Sequence, residues 1–151
     1  SETSTGNFPA GAAKIEEGKD LDAQLDASGS GGVLAALHLW RQMLVGGPEK
    51  YGEVYYYGTA PYSGIAEVAD VLVATRNVTE SNLAFDSQTG LLAVLETTID
   101  AEADPLELRL SDYREIDGRW LPHRIEVQQG NETWGILSWS QVELAATEKQ
   151  P

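Results

Sequence analysis

The chain has 151 residues, 42% of them hydrophobic and 23% charged, with a formal net charge of −14 and no cysteine. This length suits one domain with a single core, and the composition excludes wholesale disorder. The acidity argues against nucleic acid and anionic membrane surfaces as partners, and the missing cysteine removes disulfides, thiolate metal sites and cysteine nucleophiles.

Residues 1–32 are small, polar and acidic and end in Gly29-Ser30-Gly31-Gly32. They read as a flexible arm or linker, with at most a helical turn around Ala12–Glu17 or Leu21–Leu25. No basic-then-apolar leader opens the sequence, so Ser1 is expected to begin either a mature chain or an excised piece of a longer one. No apolar run approaches the roughly 18 residues that a spanning helix needs.

The segment Val33–Val45 has a helical period. Val33, Leu37, Trp40 and Leu44 fall at i, i+4, i+7 and i+11, which predicts a buried stripe, and Gly46, Gly47 and Pro48 stop the helix. His38 falls off that stripe.

From Tyr51 onward the texture is β. Seven runs rich in Val, Leu, Ile, Tyr and Trp, from GEVYYYG to ETWGILSWSQVEL, are separated by short turn sequences such as DSQTG, DG and QGN. Links this short predict an antiparallel meander of about seven strands. Leu106, Leu108 and Leu110 alternate with Glu107, Arg109 and Ser111, and Leu121, Ile125 and Val127 alternate with Arg124, Glu126 and Gln128, so each strand has a buried and a wet face. A sheet this wide twists and curls, and the Val33–Val45 helix is expected in its concavity. The expected fold is α+β, an incomplete barrel with one main helix on its concave face. It spans 33–145, between the arm 1–32 and a tail 146–151.

The stretch SDYREIDGRWLPHRIEV (111–127) holds most of the residues that suggest chemistry. Asp117-Gly118 fits a tight hairpin turn, and Pro122, lacking a backbone donor, fits a strand edge. His123 shares a face with Leu121 and Ile125 and so looks inward. An enzyme reading would pair it with a carboxylate, but no catalytic set is assigned. Ser30 sits in a glycine-rich loop like that of trypsin-type proteases, yet no histidine precedes it. The carboxylates of Asp20–Asp26 lack the glycine and glutamate of an EF-hand loop, so no metal site is assigned and no cofactor is expected.

Two hairpins, FDSQTGLLAVLE (85–96) and SDYREIDGRWLPHRIEV (111–127), with the GG-to-Trp approach to the helix, resemble periplasmic lipoprotein-carrier-like (Lol-type) domains over roughly 30–144. Similar domains are also appended to exported bacterial trypsin-like proteases. The resemblance implies a half-barrel with a hydrophobic cavity for acyl chains and a periplasmic or extracellular location. The chain departs from the carrier pattern in having one good helix where carriers have more.

Three readings follow. A non-enzymatic binding module would hold an apolar small molecule or acyl chain between helix and sheet, against Val71, Leu83, Leu108, Ile125, Ile136 and Trp40. Tyr55, Tyr56, Tyr57, Trp120, Trp134 and Trp139 supply the dense aromatics of such a domain. An interaction domain of a larger exported protein would meet a protein partner through the last strand, at Leu137 and Trp139, because that strand is apolar on both sides. A hydrolase would use His123.

Overall fold

In the computed structural model, residues 16, 19–25, 30–50, 52–62, 64–77, 79–98 and 101–143 are described. The tail 146–151 and much of the arm 1–32, including Ala12–Glu17 apart from Glu16, lie outside them. Among the described residues two α-helices, α1 (Leu21–Leu25) and α2 (Val33–Gly46), and a 3-10 turn (Pro48–Lys50) precede seven strands: β1 (Glu53–Tyr62), β2 (Ala66–Arg76), β3 (Thr79–Asp86), β4 (Leu92–Thr98), β5 (Leu106–Ile116), β6 (Arg119–Gln129) and β7 (Glu132–Ser138). The strands form one antiparallel sheet in sequence order, with β1 and β7 as its open edges, so no barrel closes. Among the described residues no helix is long and apolar enough to cross a membrane.

Turn chemistry fixes the register. Asp117 (φ 50°) and Gly118 (φ 77°) both take positive φ between the paired Ile116 and Arg119, which is the conformation a two-residue type I′ hairpin demands. Asp86 accepts the backbone N–H of Gln88 and Thr89 at 2.8 and 2.9 Å, closing the β3–β4 turn. Pro122 pairs with Tyr113 on β5, and the register of β6 with β7 starts only at Arg124, so the missing donor falls beyond that pairing.

One face carries the main core. Leu83 of β3 pairs with Leu95 of β4, Leu95 with Leu108 of β5, and Leu108 with Val127 of β6; Ile125, Leu106 and Leu110 join the same cluster. Ala36 and Leu39 of α2 belong to it too, and Val33, Leu37, Trp40 and Met43 pack at its rim. Burying Leu39 fully contributes roughly 1.5–3 kcal/mol. The deepest helix positions are Ala35, Ala36, His38 and Leu39, whereas Val33, Leu37 and Trp40 are half-buried and Leu44 is 41% exposed. The buried stripe is therefore turned from the expected one by roughly 150° around the helix axis, at about 100° per residue. The alanines cause this: without side-chain bulk they let the helix backbone approach its neighbours closely.

The other face carries a smaller buried cluster over β2–β4. Ala69, Ala84 and Val94 are buried there beneath Tyr62 and Ile65, and Val71 and Val73 lie beside them. Beyond Val94 this outer face turns polar: Glu107, Arg109, Arg124 and Glu126 stand on it, with Arg109–Glu107 at 2.9 Å and Arg124–Glu126 at 3.1 Å. Helix α1 is tied down as well, since Leu25 is buried, Asp22 bonds Asn77, and Arg76 reaches Asp22 at 3.4 Å.

Candidate functional site

The register separates the residues expected to line a ligand. Leu83, Leu108 and Ile125 share the main core face and expose no surface, so no water-sized void touches them, while Trp40 packs at the rim. Val71 pairs with Ala84 and so points to the outer face, opposite Leu83. Ile136 pairs with Glu126, likewise outward, and is 49% exposed. These six side chains do not converge on one cavity.

The partner surface assigned to the last strand changes in the same way. Leu137 pairs with Ile125 and packs against the core, and Trp139 sits over Trp40 with ring centroids 6.5 Å apart. A register shift between Val127 and Gln128 displaces the phase around Trp134, and its ring lies against Gly31, where a Cβ would collide with it. Leu137 and Trp139 thus face inward, and the exposed apolar side chain of β7 on the outer face is Ile136.

His123 is buried, as its alternation predicts, and its Nδ1 donates to the Leu121 carbonyl at 3.1 Å. Asp112, the residue between Ser111 (paired with Arg124) and Tyr113 (paired with Pro122), holds a left-handed φ of 52° within β5. The Arg114 guanidinium, bonded at 2.6 Å, holds the Asp112 carboxyl below its ordinary value, with a smaller contribution from the charge of His123. This carboxylate is engaged by arginine. The hydroxyl of Ser30 is buried and has no hydrogen-bond partner among the described residues. His38 is buried, contrary to its expected place off the stripe, and Gln42 approaches its ring at 3.4 Å. Burial lowers its pKa, helped by the charges of Arg76 and Arg41. Among the described residues no group of three His, Asp or Glu is placed to hold a metal ion.

The open sites are on the outer face. A cleft of about 330 Å³ is walled by Tyr55, Tyr57 and Tyr62 of β1, floored by Val71 and Val73 of β2, and closed by Glu80 of β3. Tyr55 and Tyr57 share this side by ordinary strand alternation, the irregularity between Tyr56 and Gly58 brings Ala60 and Tyr62 onto it as well, and Tyr56, on the opposite side, bonds Asp70 at 3.0 Å. Tyr55 is 51% and Tyr57 69% exposed, although both belong to a strand in register with a buried neighbour. Burial, and then the charges of Glu96 and Glu107, raise the pKa of Tyr62. A second cleft of about 330 Å³ lies further along, between Ile65, Thr89, Arg109, Tyr113 and Glu126. The Tyr-Tyr-Tyr run of β1 was visible in the sequence as aromatic density. That Tyr62 shares the side of Tyr55 and Tyr57 was not, because the bulge shifts the phase of the strand between them.

No protein-family model matches the chain, and comparison with curated proteins and with solved structures likewise gives no match.

Proposed function

We propose that the chain is a non-catalytic interaction module of an exported bacterial protein, periplasmic or extracellular, which meets its partner through the tyrosine-lined outer face of β1–β3. The observation that carries this reading is the pair of half-exposed to largely exposed tyrosines, Tyr55 and Tyr57, held over buried Val71 and Val73 at an open sheet edge. Aromatic side chains on a rigid, partly apolar floor are the usual anchors of a binding surface. In this reading α2 lies in the concavity of a curled, incomplete barrel and acts as its permanent plug, and the domain is an accessory part of a larger protein.

A second reading, a carrier of the lipoprotein-carrier type, is favoured by one observation. Trp40, Met43, Leu137 and Trp139 are half-buried against the core cluster, with Trp40 and Trp139 in ring contact, and an acyl chain would enter there if α2 lifted. Titration with a fluorescent fatty-acid probe separates the two. The interaction module gives no saturable binding. Saturable binding that Trp40→Ala abolishes in a folded protein would overturn it in favour of the carrier.

A further inference from the structure

We infer that the tyrosine cleft receives an arginine side chain from an extended basic segment of another polypeptide, laid along the open edge of β1. The inference rests on the outer-face reading above and names the occupant of that face.

Three features converge. The first is aromatic: Tyr55, Tyr57 and Tyr62 wall one cleft, and tyrosine rings attract cations through their negative faces. A planar guanidinium can stack on such rings as well as meet an acid, which an ammonium cannot do.

The second is charge. Glu53 pairs with Thr75 and Thr75 with Glu80, so both glutamates stand on the cleft's side of the sheet. Neither has a basic partner among the described residues. The arginines further across the same face, Arg109 and Arg124, are already engaged by Glu107 and Glu126. The chain as a whole carries −14, which draws basic partners and repels acidic ones.

The third is the edge. β1 is the first strand of the sheet, and among the described residues no strand pairs with its other side, so the outward backbone groups of alternate residues along this ten-residue strand can take an added strand. A strand added there presents alternate side chains to the outer face, beside the cleft. At about 330 Å³ the cleft is at the small end of ligand sites, which suits one side chain.

The test titrates the chain, at physiological salt, with a capped peptide alternating arginine and threonine, and with its twin carrying neutral citrulline for arginine. The arginine peptide is expected to bind saturably, and the twin at least about tenfold more weakly. Replacing both Tyr55 and Tyr57 by leucine should weaken binding by about tenfold or more, as the loss of two cation–π contacts implies. Tyr57→Phe should keep most of the affinity, and Glu115→Gln, at the far hairpin, should change nothing. Equal binding of the citrulline twin, still lost in the leucine variant, would overturn the arginine assignment while leaving the outer-face reading standing. Binding that ignores the tyrosines, or that Glu115→Gln weakens equally, would overturn both. No binding of either peptide overturns the arginine assignment.

Discussion

Trp40 of α2 and Trp139, just beyond β7, stack with ring centroids 6.5 Å apart and planes inclined by 31°. Trp139 is held there from below, its backbone N–H donating to the His123 carbonyl at 3.0 Å. The pair joins the helix to the last edge of the sheet, two parts of the chain that share few other contacts. Trp40 is half-buried, so Trp40→Ala is expected to cost about 2–3 kcal/mol, below the roughly 3–5 of a fully buried tryptophan. Urea denaturation checks it, and Trp139→Ala should cost a similar amount without adding fully to the first in the double variant.

Gly118 meets nothing within 4 Å at the position of an added Cβ, and its φ is 77°. The penalty for Gly118→Ala is therefore conformational alone, about 1 kcal/mol. Asp117→Gly, at the other positive-φ position of the turn, should be neutral or slightly stabilising. Thermal unfolding checks the turn type: Gly118→Ala should lower the melting temperature and Asp117→Gly should not.

Neighbouring strands offer a paired comparison across the sheet. Ile125 is fully buried and Ile136 is half-exposed on the opposite face. Ile125→Ala is expected to cost about 2–5 kcal/mol and Ile136→Ala within about 0.5 kcal/mol. Equal losses in chemical denaturation would mean that the two faces are not inequivalent as described.

His38 links stability to pH. Its folded pKa lies below the ordinary 6.5, chiefly through burial, so the unfolded chain binds the proton more readily. The stability it contributes is present above about pH 6.5 and is lost as pH falls through the lowered folded pKa. Melting temperature should therefore decline on acidification below that value, and His38→Leu should flatten this limb. Asp86, Asp112 and Glu126, whose carboxyls are also held below their ordinary range, act only at lower pH, near and below the usual carboxylate values.

The strand meander, the Asp117-Gly118 turn and the inward His123 were legible in the sequence because each depends on local pattern or local backbone preference. The helix stripe was not. Ala35 and Ala36 carry little hydrophobic signal, yet their small size decides which side of α2 meets its neighbours. Val71 was misplaced because β2 is apolar on both faces, Val71 and Val73 on one and Leu72 and Ala74 on the other, so alternation gave no phase. Trp134 and Tyr62 were hidden by bulges, each of which adds a residue and defeats the period of two. Tyr62 joins Tyr55 and Tyr57 in the cleft through one of those bulges, which is why the sequence marked these residues but not that all three share a side.

The most direct measurement is a map of backbone amide shifts by two-dimensional ¹⁵N NMR during titration with the alternating arginine–threonine peptide. Shifts concentrated on β1 and on Val71, Val73 and Glu80, with α2 and the Leu108–Ile125 core unmoved, are the predicted result. Shifts centred on α2, Trp139 and the main core, or spread evenly over every acidic residue, would contradict the assignment of the outer face.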